Sequence, residues 1–378
     1  MINSLNNDRG RIEMIARDEI PSLKLAKHRY IKAFQLRNHR KRIAAEINFY
    51  KKTLYGNCRR SNPNLKKNRM MTSALINWTL YTINPHQDSF TPPYEMLELI
   101  DRLETLPPLS DIGMSIMQLV NAPSADVHRL AEIIDQDAVL AAQIIRLAGS
   151  PVYGFSGTDL NVRDSINEVL GFDFACNLAF ALSAFPSLKM PKDGAIGTRL
   201  YWIHAIASMQ LMQLLNKQLA VSNRFHDAQL IQSGLLHNIG LPLLADQFPT
   251  EFDLLNDLAS ANPSMPVIEL EKFALGIDHN ILGAWLMRSW NMPKSIIDVV
   301  NNHHNPHYPG DSHKLNLVTY LSDCLLGKLG IGFATQKQTY SNELLDDLGL
   351  TVEALEESID RLYDNLENII MMAEMITE

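Results

Sequence analysis

From about residue 94 to its end, this 378-residue chain repeats its apolar residues at three- and four-residue steps. Clean two-residue alternation is nearly absent. The first period gathers apolar side chains on one face of an α-helix, whereas the second would mark a half-buried strand. The pattern predicts an all-α fold, with roughly a dozen helices packed around shared apolar faces. Stripes fall at 138–148, 164–171, 173–184, 199–219, 226–239, 278–290, 293–303 and 314–328. Ser124 precedes the stripe of Val127, Leu130, Ile133 and Ile134 and reads as its N-cap. Thr351 to Ile376 reads as one acidic amphipathic helix, with Leu355, Ile359, Leu362, Leu366, Ile369 and Ile370 on one side. A hydrophobic fraction of 46% supplies enough material for a sizeable core.

Charge divides the chain unequally. Residues 1–72 hold 18 Lys+Arg and 5 Asp+Glu, a balance of +13. The rest holds 16 basic and 37 acidic residues, a balance of -21, which gives the net -8. A basic arm on an acidic body follows. The arm reads as helical over about 22–55, where Tyr30, Phe34, Phe49 and Tyr50 interleave with Arg37, Arg40, Lys41, Arg42, Lys51 and Lys52. Such a surface suits nucleic-acid phosphates and bases, or a protein partner, or docking on the acidic tail of this or another copy. It is equally a packing face with a solvated face opposite. Turn formers at 57–68 read as a linker, and those at 84–93 place the main domain boundary. The expected parts are a basic extension with linker at 1–90, a main domain at 91–340, and an acidic C-terminal helix at 341–378 packed on it.

Three cysteines, Cys58, Cys176 and Cys324, share no metal-type spacing and fit a reducing compartment. No stretch reaches the roughly 18 uncharged apolar residues of a membrane span, and the first 20 residues lack a signal-peptide core. A cytoplasmic location is expected.

Histidines and one carboxylate are scattered through the helical stripes: His204, His237, His279, His303, His304 and Asp323. Imidazole nitrogens and carboxylate oxygens suit zinc, iron or manganese. Their spacing contains no compact metal motif, so a metal centre requires the fold to gather distant helices. The alternatives are core histidines satisfied by backbone carbonyls, and helix-capping imidazoles at His303 and His304.

Several strings carry a resemblance. LPPLSDIGMSIMQLVNAPSADVHRLAEIIDQDAVLAAQIIRLAGSPVYG (106–154) resembles the opening of an HDOD domain, with Asp137-Ala138 in place of the usual Asp-Pro turn. RDSINEVLGFDFACNLAFAL (163–182) and GLLHNIGLPLL (234–244) resemble its next segments. ELEKFALGIDHNILGAWLMRSWNMPKSIIDVVNNHHNP (269–306) carries an acidic residue, Asp-His, Gly-Ala, Trp-x-x-Pro and the double histidine in the family's order. The resemblance covers about residues 95–330. It implies a multi-helix, HD-like bundle, because the family is similar to the HD superfamily of metal-dependent phosphohydrolases. It also implies that His204, His237, the residue at 238 and Asp323 stand at the superfamily's metal-ligand positions. His279, His303 and His304 stand where related phosphodiesterases hold further metals.

Position 238, an aspartate in that superfamily, is Asn238 here. A carboxylate can bridge two cations through two charged oxygens, whereas an amide offers one neutral oxygen. Activating a metal-bound water needs a firmly held ion with an open position. The site is therefore expected to be degenerate and the chain not to be an enzyme. No cofactor is expected, with one divalent transition metal on His204, His237 and Asp323 as the alternative. The resemblance implies a bacterial signal-transduction module that acts by binding a signalling partner. A nucleic-acid-binding regulator working through the basic arm and a residual phosphodiesterase are the alternatives, and a homo-oligomer is allowed.

Overall fold

The computed structural model describes residues 106–120, 125–154, 160–262, 265–331, 333 and 340–377. The chain divides into two units, Met1–Phe90 and Thr91–Glu378, and every described residue belongs to the second. The basic arm with Arg37, Arg40, Lys41, Arg42, Lys51 and Lys52 lies outside the described residues, as do Cys58 and Ser124. Among the described residues there is no strand, and no helix is long and apolar enough to cross a membrane.

The helices are α1 (Asp111–Val120), α2 (Val127–Ile134), α3 (Ala138–Ala148) and the short α4 (Val162–Asp164), which continues as a π-turn over Ser165–Leu170. Then come α5 (Phe172–Ala184), α6 (Thr198–Gln218), α7 (Asp227–Leu236), α8 (Gly240–Gln247), α9 (Pro249–Ala261), α10 (Val267–Leu275), α11 (His279–Ser289), α12 (Lys294–Asn302) and α13 (His313–Leu329). The tail forms α14 (Asn342–Leu348), α15 (Val352–Asp364) and α16 (Leu366–Thr377). Short polar side chains start many of them. Asp137 caps α3 by accepting from the N–H groups of Val139 and Leu140 at 2.9 and 3.1 Å. Asp278, Ser341 and Thr351 do the same for α11, α14 and α15. The α2 cap is Asp126, which accepts from Arg129 N–H at 2.8 Å and replaces the expected Ser124 in that role.

The centre of the bundle is α6. Its buried residues run from Tyr201 through Met212 to Asn216 and occupy nearly every side. Such a helix is stable only when enclosed by others, and α7, α13, α15 and α16 pack around it. Two close approaches fix the walls of the site. A Cβ on Gly234 would collide with the backbone of Met209 in α6, and one on Gly240 would collide with the His279 carbonyl oxygen. Glycine at these two positions lets α7 press on α6 and the start of α8 press on the start of α11. Trp290 ties the first described residues to this body by donating from Nε1 to the Pro107 carbonyl at 2.9 Å.

Two expected helices break. The 226–239 stripe ends at Leu236, where His237 caps α7, and a tight turn leads into α8. The 351–376 stripe splits at Asn365 into α15 and α16. The Asn365 amide donates to Gln210 Oε1 of α6 at 2.7 Å, and its backbone N–H bonds Leu362, three residues back, at 3.1 Å. The break lets both tail helices follow the surface of α6. The sequence pattern also passed over α8, α9 and α10.

Candidate functional site

The side chains singled out above converge in two buried groups. The first joins the middle of α6, the end of α7 and the middle of α13. His204 Nε2 lies 3.2 Å from His237 Nε2 and 3.2 Å from Asp323 Oδ1. His237 Nε2 lies 3.4 Å from the same oxygen. Asp323 Oδ1 points between the rings but meets neither at a hydrogen-bonding angle, and His204 Nδ1 is buried without a partner. Burial pushes the Asp323 carboxyl up, yet His237 and His204 outweigh it and hold the group well below the usual carboxylate range.

The second group joins α10, the start of α11 and the end of α12. His279 Nε2 lies 3.4 Å from His303 Nε2, and the His304 ring centroid is 4.1 Å from that of His303. His279, His303 and His304 can each bring one ring nitrogen within 4.8 Å of the others. Behind His279 stands Glu271, whose Oε2 is 2.6 Å from His279 Nδ1 and accepts the His279 backbone N–H at 3.1 Å. Burial pushes the Glu271 carboxyl well above its usual range against that backbone bond. Burial also lowers the rings: His279 falls to about 4, His304 to about 3, and His303 well below 6.5. Neighbouring rings reinforce the effect, and the more distant Asp323 opposes it.

The His237–Asn238 turn decides what the first group can be. His237 Nδ1 is 3.0 Å from the carbonyls of both Ser233 and Gly234. A carbonyl only accepts, so the proton of the neutral ring is on Nδ1 and Nε2 carries a lone pair. Asn238 Nδ2 lies 2.9 Å from that lone pair and donates to it.

Spacing alone does not separate a metal centre from a polar core. Bonds of about 2.1 Å to a tetrahedral ion set ligands ~3.4 Å apart, close to the separations in both groups. The donor set separates them. In the first group the His237 lone pair is already used by Asn238, and no carboxylate stands at 238 to bridge two ions. The residues there lack the carboxylate of a bridged metal pair, while His204, His237 and Asp323 each bring a ligand atom within 4.8 Å of the others.

Comparison with known proteins gives the family. The HDOD domain profile matches residues 106–306, more than half of the chain. The chain belongs to the HDOD family. A solved structure described as a signal transduction protein, from Marinobacter aquaeolei, is 28% identical with a TM-score of 0.67, over 81% of this chain and 66% of that one. An HDOD domain protein of unknown function from Geobacter sulfurreducens is 20% identical with a TM-score of 0.60, over 74% and 96% of the two chains. An uncharacterised protein of Treponema pallidum is 24% identical over 212 residues, 56% of this chain and 40% of that protein. The chain thus spans less than half the length of that relative.

Within the HDOD domain, the sequence reading counted an acidic residue of the 269–306 string among the motifs but gave Glu271 no place in the site. Its signal was there to be read: a carboxylate on the apolar stripe of α10, between Val267 and Ile268 on one turn and Ala274 and Leu275 on the next. Ser208 and Phe333 were also passed over, with Ser208 Oγ 3.4 Å from His204 Nε2 and the Phe333 ring centroid 5.3 Å from that of His204.

Proposed function

We propose that this HDOD protein is a non-catalytic signal-transduction module that works by binding a partner. The observation that carries this reading is Asn238. Its amide donates to the His237 lone pair at 2.9 Å, the atom on which hydrolysis would depend for holding an ion. A neutral amide beside that ring supplies no second charged oxygen to bridge cations, so a metal-bound water has no firm anchor. His204, His237 and Asp323 then act as a polar core that fixes α6, α7 and α13 relative to one another. The description of the Marinobacter relative as a signal transduction protein agrees with a regulatory role.

The test is direct. Purified protein is supplied in turn with manganese, iron(II) and zinc, and offered phosphomonoesters and cyclic dinucleotides. Turnover indistinguishable from protein-free controls is expected throughout. Metal-dependent turnover that disappears in His237→Ala would overturn the reading.

A further inference from the structure

A cavity of about 200 Å³ opens between the end of α1, α5, the start of α7 and the start of α12. None of the histidines or carboxylates described above lines it. Met117, Phe180, Met292 and Pro293 supply an apolar wall, and Gln229, Gln232 and Ser295 supply the polar groups. Gln229 and Gln232 are three residues apart on α7 and so share one face of it. Gln232 is only 9% exposed, and its amide makes no hydrogen bond among the described residues. A buried side-chain amide is normally bonded, so this one is placed to meet something that enters the cavity.

The wall is held in place before anything binds. Phe180 stands edge-on to Trp290, with ring centroids 6.4 Å apart and planes at 84°, and Trp290 is itself tied to the Pro107 carbonyl. Asn291 takes a φ of 54°, a left-handed conformation uncommon away from glycine. The turn it makes brings Met292 and Pro293 to the cavity, and backbone held in this way collects at ligand sites. No lining residue is charged. Lys294, between Pro293 and Ser295, is engaged by Asp298 at 2.7 Å. A phosphate or carboxylate has nothing to meet there, so the ligand is neutral. The volume falls below the roughly 300 Å³ of a drug-sized site, which limits the ligand to one small ring system. A side-chain amide offers N–H and C=O side by side, and its complement is a ring with the same pair on one edge. Thioethers and an aromatic ring pack well on the flat face of such a molecule.

We propose that this cavity binds a small, neutral, flat heterocycle with a lactam edge. Gln232 holds that edge through paired hydrogen bonds, while Met117, Phe180 and Met292 pack on the ring. The cavity draws its lining from α7 and α12, the helices whose ends carry His237 and His303. Occupancy fixes these helices against each other and gives the module a chemical input. The proposal goes beyond the partner-binding reading, and its failure would leave that reading untouched.

The test titrates the full chain, with isotope-labelled methionine methyl groups, against carbostyril, a fused ring that carries a lactam edge. The Met117 and Met292 methyl signals, assigned by Met117→Leu and Met292→Leu, are expected to shift saturably in NMR spectra. Naphthalene, which has the same outline without the lactam, should bind at least about 10-fold more weakly. Gln232→Leu should weaken carbostyril about 10-fold or more and leave naphthalene unaffected. Ala228→Phe, which fills the cavity from α7, should abolish binding of both. The comparison of the two probes on wild-type protein decides the matter if neither variant folds. The absence of a saturable shift at Met117 and Met292 overturns the proposal. So does equal affinity for the two probes, or undiminished carbostyril binding in Gln232→Leu or Ala228→Phe.

Discussion

The two histidine groups are built from the same materials and end in opposite states. His237 in the first, and His279 and His303 in the second, commit Nδ1 to a fixed partner and turn Nε2 inward. In the first, Asn238 meets the inward lone pair with an N–H at 2.9 Å. In the second, the inward Nε2 atoms of His279 and His303 meet each other at 3.4 Å, with Glu271 behind His279. One neutral side chain on a turn therefore distinguishes a cluster in which the His237 ring meets an amide from one in which the inward rings meet each other. Counting metal-type residues does not reveal this, because both groups contain three.

The largest expected effect tests whether the groups need their common wall. Gly240→Ala places a methyl against the His279 carbonyl oxygen, driving α8 and the His237–Asn238 turn away from α11. A loss of about 3 kcal/mol in denaturant unfolding is expected, and a loss under about 1 kcal/mol would show that the wall yields easily.

Acid comes next, applied to metal-free protein. The rings of His279, His303 and His304 are held below 6.5, with His279 at about 4 and His304 at about 3. As pH falls the unfolded chain takes up protons first, so stability present at pH 7 is lost between about 6.5 and 4, on the order of 1 kcal/mol per ring. Glu271, pushed up by burial, works the other way, since its stabilising contribution is full at low pH and fades as pH rises. Urea midpoints between pH 7 and 5 measure the net effect, and a flat profile would break the picture of three neutral buried rings.

Asn238→Asp sharpens the comparison by making the first group resemble the second. A buried carboxylate would face the His237 lone pair without a proton, at a cost of about 2 kcal/mol. Added manganese or zinc should restore the melting temperature in this variant, and no rescue would mean that the first group rejects ions for a reason other than its amide. Glu271→Gln is expected to have the smallest effect in metal-free protein, about 1 kcal/mol. It removes the carboxyl that opposes the rings, so its acid profile should be steeper than that of wild type.

Much of this architecture was legible in the chain. A three-to-four-residue period marked α3, while α5, α6 and α13 were legible as long apolar segments of helical length. His204, His237, His279, His303, His304 and Asp323 could be named from sequence because each is a polar residue set in an apolar helix pattern. Their division into two groups could not, since it depends on which helices touch. The breaks at His237 and Asn365 were hidden for a related reason. Both turns are held by bonds that a periodicity does not encode: Nδ1 of His237 on the preceding carbonyls, and the Asn365 amide on Gln210. The meaning of Asn238 was half visible, as a missing charge. That it also donates a hydrogen bond to its neighbour emerges only from the geometry.

The covering of α6 has a consequence for how the protein is made. Its outer side is closed by residues far along the chain: Gln210 meets Asn365 across 155 positions, and Arg199 meets Glu374 across 175. Contacts so distant in sequence form late and slow the search for the native state. During synthesis the apolar surface of α6 waits bare for α15 and α16, which makes nascent or truncated chains prone to aggregate. The unit that folds thus reaches well past the family's residue 306, and a fragment cut there would be expected to precipitate rather than persist as a smaller domain.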